Sequence, residues 1–271
     1  MASFASISVE RLSRLVGTPN CPALVEVREA EGLKADPFLI PSSVRREAQS
    51  VASWAPEFRG RSVVTICQKG KKFSEGASAW LRTEGIDAES LDGGIDAWRT
   101  AGLPVLPVAA LPAGSERGSV WVTRSRPKID RIACPWLIRR FVDPGARFLF
   151  VAAAEVPEVA ARFGATPFDI EGVHWSHRGE LCTFDVMVEK FGLAFQPLAR
   201  LALIVRGADT DRLDIAPEVA GLLAVSLGLS RMYSDDLQQL EAGMVLYDAL
   251  YRWCRDATGE THNWPGSGAK R

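Results

Sequence analysis

Residues 63–76 read VVTICQKGKKFSEG. Four residues rich in β-branching, Val63-Val64-Thr65-Ile66, run into Cys67, and Gln68, Lys69, Gly70, Lys71 and Lys72 follow before the pattern turns helical. A short β-branched run that meets a polar, glycine-bearing segment reads as a buried strand beginning near Ser62. From Ser74 to Glu84 the spacing changes to that of a helix, with Ala77, Trp80, Leu81 and Glu84 on one face and Ser74 placed to cap its start. Gly85 supplies the left-handed stop. Strand, loop and helix in this order are the repeating element of a parallel sheet flanked by helices.

The flanking sequence extends the same pattern. Ala23-Leu24-Val25-Glu26-Val27 is a strand, Ala88 to Leu91 a short one, and Gly93-Gly94 opens a helix over Ile95 to Thr100. Residues 1–107 thus form an α/β unit. The stretch PVLPVAALPAGSERG at 104–118 holds three prolines and two glycines, which places a boundary there and a linker over 108–118.

A second, helix-rich α+β unit is expected over 119–258. It begins with a strand at Ser119–Thr123, then a helix near Ile132 to Phe141 and a strand over Arg147 to Ala152. A strand-turn-strand follows across Val173 to Thr183, and the chain is helical after Phe184. In the last helix Leu240, Met244, Tyr247, Tyr251 and Cys254 recur at steps of four and three, with Ser234, Asp235 and Asp236 at its start. Residues 259–271 read as a frayed tail. The first fifteen residues, MASFASISVERLSRL, read as an amphipathic helix.

The chain has 271 residues, 47% hydrophobic and 24% charged, enough for a sizeable packed core. Lys and Arg (32) nearly balance Asp and Glu (33), which argues against coating nucleic acid or an anionic membrane through net charge. No apolar stretch reaches membrane-spanning length, and the N-terminus lacks the layout of a signal peptide. The five cysteines, Cys21, Cys67, Cys134, Cys182 and Cys254, are widely spaced and odd in number, which predicts free thiols and a cytoplasmic setting.

Cys67 would sit at the C-terminal end of a parallel strand, where α/β folds build their sites. If Gln68, Lys69, Gly70, Lys71, Lys72 and Phe73 curl into a loop, their N–H groups can turn inward as an anion nest, and the next helix adds its positive end. Both effects, with the lysines, favour a nucleophilic thiolate. The competing reading is a buried structural cysteine beside solvated lysines.

Leu91-Asp92-Gly93-Gly94-Ile95-Asp96-Ala97-Trp98-Arg99-Thr100-Ala101-Gly102-Leu103-Pro104-Val105 resembles the C-terminal signature of rhodanese domains. Val25-Glu26-Val27-Arg28 is similar to their early aspartate-x-arginine strand, with Glu26 in the aspartate position, and Ile40-Pro41-Ser42-Ser43 is loosely similar to a further segment. The resemblance spans about residues 8–107. It implies that Cys67 carries sulfane sulfur as a persulfide held by the loop amides, without a cofactor. A small sulfur donor would supply the sulfur and a thiol would accept it. Lys72 stands where many members have arginine, and a lysine lacks the arginine fork.

The second unit carries Arg126-Pro127-Lys128-Ile129-Asp130-Arg131-Ile132-Ala133-Cys134-Pro135-Trp136-Leu137-Ile138-Arg139-Arg140-Phe141, then His174-Trp175-Ser176-His177-Arg178-Gly179-Glu180-Leu181-Cys182-Thr183-Phe184-Asp185, and later Arg206-Gly207-Ala208-Asp209. Over about residues 119–256 these resemble the C-terminal domain of the ChrB chromate-resistance family. The resemblance implies a part in chromate resistance, by sensing or by detoxification. His177, Glu180, Cys182 and Asp185, with Asp209 from elsewhere, would suit a divalent iron, manganese or zinc ion. The alternative is that His177 bonds locally while Asp185 caps the next helix. Arg126, Lys128, Arg131 and Arg139, with Arg124 and Arg140, form a basic cluster able to hold chromate, sulfate or phosphate, or else a solvated face. The helical stripe from Leu240 to Tyr251 serves a core or a homodimer contact.

Two functions remain open at this level. One is a sulfurtransferase joined to a ChrB-type domain in chromate or oxidative-stress defence. The other is a chromate- or metal-responsive regulator with a non-catalytic rhodanese scaffold.

Overall fold

The computed structural model describes residues 5–112, 114–116 and 118–260. The frayed tail expected over 259–271 lies almost wholly outside these residues, as do the first four residues of the expected N-terminal helix.

In place of that helix the chain opens with a strand, β1 (Ser6–Ile7), and one short helix, α1 (Val9–Ser13), whose cap Ser8 accepts from the Arg11 N–H. Ser6 and Ile7 add to the sheet edge, pairing with Ser90 and Leu91, because alternation there buries Ile7. Then come β2 (Ala23–Glu26), α2 (Ala30–Ala35), β3 (Phe38–Leu39), β4 (Ser43–Arg45) and α3 (Val51–Trp54). The opening stretch of sequence forms β5 (Val63–Ile66) and α4 (Phe73–Thr83). β6 (Ala88–Leu91), α5 (Gly94–Thr100) and β7 (Leu106–Pro107) complete the unit. Five strands make one parallel sheet in the order β1-β6-β5-β2-β4, and β3 pairs antiparallel with β7. β5, which leads to Cys67, is the central strand.

Both faces of this sheet are covered, and the period of two divides them. Val25, Val63, Cys67, Ala77 and Leu81 pack on one side. Leu24, Val64, Ile66 and Leu91 face the other side and share a core with Trp121, Trp136 and Phe141 of the second unit. The helix α4 buries Ser74, Ala77, Ser78 and Leu81, a narrow stripe that leaves Trp80 46% exposed, against the expectation for that residue.

The second unit runs β8 (Val120–Arg124), α6 (Asp130–Leu137), β9 (Arg147–Val151), α7 (Val156–Phe163), β10 (Thr166–Pro167), α8 (Thr183–Lys190), α9 (Gln196–Asp209), α10 (Val219–Met232) and α11 (Asp236–Arg252). Its three strands are parallel, in the order β10-β8-β9. Pro135 sits inside α6, and the helix widens into a π turn over Ile138–Val142. The strand-turn-strand expected over Val173 to Thr183 is not formed. That stretch is a series of turns with isolated bridges, Phe168 to Trp175 and Arg178 to Leu181. His174, His177, Arg178 and Glu180 are exposed, so alternation has no continuous face to bury.

The two units dock tightly. The Ser42 N–H donates to the Phe141 carbonyl at 2.7 Å. Gly17, at φ +78°, lies flat against the Phe141 ring, where any Cβ would collide. The linker therefore separates two sheets but not two cores. No helix among the described residues is long and apolar enough to cross a membrane.

Candidate functional site

Cys67 ends β5 and lies 6% exposed at the floor of a pocket of about 330 Å³, lined by Arg28, Gln68, Lys69, Lys71, Lys72 and Phe73. Its Sγ is 3.0 Å from the Lys71 carbonyl and 3.0 Å from the Ser74 hydroxyl. Ser74 is thus inside the first turn of α4 and does not cap it. Lys72 holds the cap position at φ +43°, a conformation that bulky residues rarely adopt. The backbone N–H groups from Gln68 to Phe73 donate to no acceptor among the described residues. Lys69, Lys71 and Lys72 are exposed at the rim.

The loop is clamped from below. The Cys67 and Gln68 carbonyls accept from the Ile95 and Asp96 N–H groups at 3.0 and 3.1 Å, which hangs the loop on the N-terminal turn of α5. The Gln68 amide nitrogen donates to the Asp96 carboxylate. Gly93 and Gly94 are both at positive φ, the geometry that lets the loop and the turn touch. Behind the loop, Arg28 is buried against Glu26, with Nε to Oε1 at 3.0 Å, and reaches the Gln68 side chain at 3.4 Å. Burial pushes the Glu26 carboxyl up, against the pull of Arg28.

A second constellation lies in the other unit. His177 Nε2 stands 3.2 Å from Asp209, 3.4 Å from Asp169 and 3.5 Å from Asp130. Asp130 comes from the first turn of α6, Asp169 from the loop after β10, and Asp209 from the end of α9. Asp130 is buried and accepts from the Thr183 N–H at 2.6 Å, so it also caps α8. Asp169 accepts from the Thr183 hydroxyl at 2.9 Å and pairs with Arg124 and Arg131, both at 3.3 Å. A cleft of about 770 Å³ reaches the cluster, past Arg124, Glu171, Ser176 and His177.

Charge decides the protonation here. Hydrogen bonds to Asp169 and then Asp209 raise His177 to about 10. Burial, then Asp209 and Asp169, pushes the Asp130 carboxyl well up. Burial also acts to raise Asp169, but its bonds from His177 and Thr183 outweigh that and hold it low.

The ligand set expected from spacing is therefore corrected. His177 and Asp209 meet, and ligand atoms of Asp130, His177 and Asp209 lie within 4.8 Å of one another. Glu180 is exposed in the turn region. Cys182 and Asp185 are taken up in a capping box, the Cys182 N–H donating to Asp185 at 3.1 Å, as the alternative reading expected. Sequence spacing misses Asp130 as a ligand candidate and Asp169 as a partner of His177. Asp130 stood in the quoted Asp-Arg segment, and the left-handed Asp169 carries no local signal.

The basic cluster is dispersed, because its arginines are taken up by separate acceptors, with only Arg124 and Arg131 sharing Asp169. Arg126 binds the Tyr233 carbonyl at 3.0 Å and the carbonyl of Ser230, while its N–H meets Asp236. Arg131 is committed to Asp169, Arg139 to Glu241 at 2.6 Å, and Arg140 to Asp248 at 2.8 Å. Lys128 is half-buried beside α11. These residues do not converge on one oxyanion.

Residues 121–254 match the family described as ChrB, C-terminal domain. A curated relative, Protein ChrB of Cupriavidus metallidurans strain CH34, is 38% identical over 138 residues, which is 50% of this chain and 40% of that protein. This chain thus spans well under two thirds of the relative's length. Among solved structures, a rhodanese-related protein from Thermoplasma volcanium is 24% identical over 38% of this chain and 98% of its own, at a TM-score of 0.34. A rhodanese-like domain protein from Staphylococcus aureus is 23% identical over 35% of this chain and 91% of its own, at a TM-score of 0.32. The second unit is thus similar to the ChrB C-terminal domain over residues 121–254, and the first unit has the parallel sheet and Gly93-Gly94 turn that its resemblance to rhodanese domains implies.

Proposed function

We propose that the chain is a sulfurtransferase in which Cys67 carries sulfane sulfur, coupled to the ChrB-type unit in chromate resistance or oxidative-stress defence. The observation that carries this reading is the unbonded run of N–H groups from Gln68 to Phe73 around a thiol at the end of the central strand. Such a run binds negative charge, and the N-terminal end of α4 adds to it.

The Cys67 thiolate attacks the outer sulfur of a donor such as thiosulfate. The new S–S bond forms as the donor's S–S bond breaks, and sulfite leaves with the electron pair. The loop amides then hold the terminal persulfide sulfur, and Ser74 steadies the inner one. An acceptor thiolate attacks the terminal sulfur, and Cys67 departs as a thiolate. Lys69, Lys71 and Lys72 draw anions to the rim. Lys72 offers a point charge in place of a fork, which suits a compact sulfur donor less than arginine would. The acceptor comes from outside the fold: burial pushes the Cys134 and Cys182 thiols well up, and neither is exposed. Thiocyanate formation from thiosulfate and cyanide tests the reading, with activity lost in Cys67→Ala. Equal turnover in that variant would refute it.

A second reading rests on the meeting of His177 with Asp130 and Asp209. It is a divalent iron, manganese or zinc centre in the ChrB-type unit, which His177, Asp130 and Asp209 would hold and through which that unit would respond to metal or chromate. Metal analysis after dialysis against each ion tests it. His177→Ala and Asp209→Ala should each lose the ion, and Glu180→Ala should keep it. Equal content in all three would refute the centre.

A further inference from the structure

The helix α10 buries one face in the core and leaves apolar residues exposed on the other. The residues it buries are Val219, Leu222, Ser226 and Ser230. Toward solvent it turns Val225 and Leu227, each 47% exposed, and Met232 at 72%. From Val219 to Ser230 it carries no charged residue. Five of the eight large exposed apolar side chains among the described residues lie on α10, α11 or the turn between them, Leu237 and Val245 being the others. A surface helix of a globular chain ordinarily carries charged and polar residues on its outer face, so this uncharged face is built to be covered.

Its two glycines point to what covers it. Gly221 and Gly228 are exposed, and a Cβ at either would meet nothing within 4 Å. The fold itself therefore does not require them, although glycine is among the poorest helix formers. Close approach of a second helix does require small side chains. The ends of the helix carry complementary charge: Glu218 caps its start, and Arg231 lies in its last turn.

We infer that α10 is the centre of a two-fold homodimer, packed antiparallel against α10 of a second copy. The register follows from the sequence. About the midpoint between Ala224 and Val225, Gly221 faces Gly228 of the second copy, Ala224 faces Val225, and Glu218 faces Arg231. All these pairs fall on one stripe with steps of three and four, the geometry of helix contact. The antiparallel arrangement also sets the positive end of each helix beside the negative end of the other. A two-fold interface repeats each contact, so both Glu218–Arg231 pairs form together.

Sedimentation equilibrium of the full chain tests this. The wild type should show twice the 29.5 kDa chain mass. Val225→Glu should give the single-chain mass with an unchanged far-UV circular dichroism spectrum, because that side chain is exposed in the monomer. Glu218→Arg and Arg231→Glu should each weaken the dimer roughly tenfold by placing like charges opposite. The double swap should recover it to within a few-fold. A wild type that stays monomeric, a dimer indifferent to Val225→Glu, or a double swap no better than the singles would each overturn the proposal.

Discussion

Gly94 stands so close to Gly70 that a Cβ on Gly94 would lie 2.5 Å from the Gly70 nitrogen, and closer still to the Cys67 carbonyl oxygen. Both glycines are at positive φ, +61° and +68°. The contact locks the cysteine loop onto the α5 turn, so a methyl group there must displace the loop. Gly94→Ala should lower sulfur transfer by more than about tenfold, since small misplacements of reacting groups are costly. The exposed Gly102→Ala should retain activity. Thiocyanate production by the two variants is the measurement; similar rates would contradict the lock.

His177 gives the metal-free chain a pH signature. Its folded value of about 10 lies above its ordinary 6.5, through the hydrogen bonds to Asp169 and Asp209. A raised folded value means that the stabilisation is full below about 6.5 and is lost as the pH rises through 10. The imidazole side chain is 41% exposed, so solvent screening keeps the effect modest. The urea midpoint of chelator-treated wild type should therefore fall more steeply across that window than that of His177→Gln. Parallel slopes would count against the assignment.

Asp130 separates charge from hydrogen bonding. Burial disfavours its charge, yet its oxygens serve the Thr183 and Phe184 N–H groups at 2.6 and 3.3 Å. Asp130→Asn keeps one acceptor, for the shorter Thr183 bond, but turns its amide NH2 toward the Phe184 N–H, and should cost about 1 kcal/mol in the absence of metal. Asp130→Ala orphans the start of α8 and should cost about 2–3 kcal/mol. Urea titrations of both variants decide, and equal losses would show that the carboxylate charge is what matters.

Phe141 joins the two units. It is fully buried, packs on Trp136 and Tyr251, and fills the hollow left by Gly17. Phe141→Ala should cost about 3–5 kcal/mol. Because the core is continuous, far-UV dichroism and tryptophan fluorescence should still report one unfolding transition in the wild type. Two separated transitions in the wild type would contradict the shared core.

The cysteine site was legible because it is local. A β-branched strand, a glycine loop, a helix and a Gly-Gly turn all sit within about forty residues, and each has its own backbone signature. The last helix was legible for the same reason, in the steps from Leu240 to Tyr251. The His177 cluster was not, because its four members come from residues 130, 169, 177 and 209, and only the packing of α6, α8 and α9 brings them together. Reading a twelve-residue window grouped His177 with Glu180, Cys182 and Asp185. The turn exposes the first of these, and helix capping uses the other two. Trp80 shows the limit of helical period alone: it flanks the buried stripe, and only the width of the contact with the sheet decides which flank is covered. The arginines from 126 to 140 read as one patch, but Arg126, Arg131, Arg139 and Arg140 are each held by an acceptor distant in sequence.

The most direct test of the central claim is the intact mass of the reduced protein after incubation with thiosulfate, beside Cys67→Ser. The wild type should gain one sulfur, about 32 Da per persulfide formed, and lose it to cyanide, while the variant gains none. An unmodified wild type with a free, reduced Cys67, or an adduct that persists in the variant, would contradict the account.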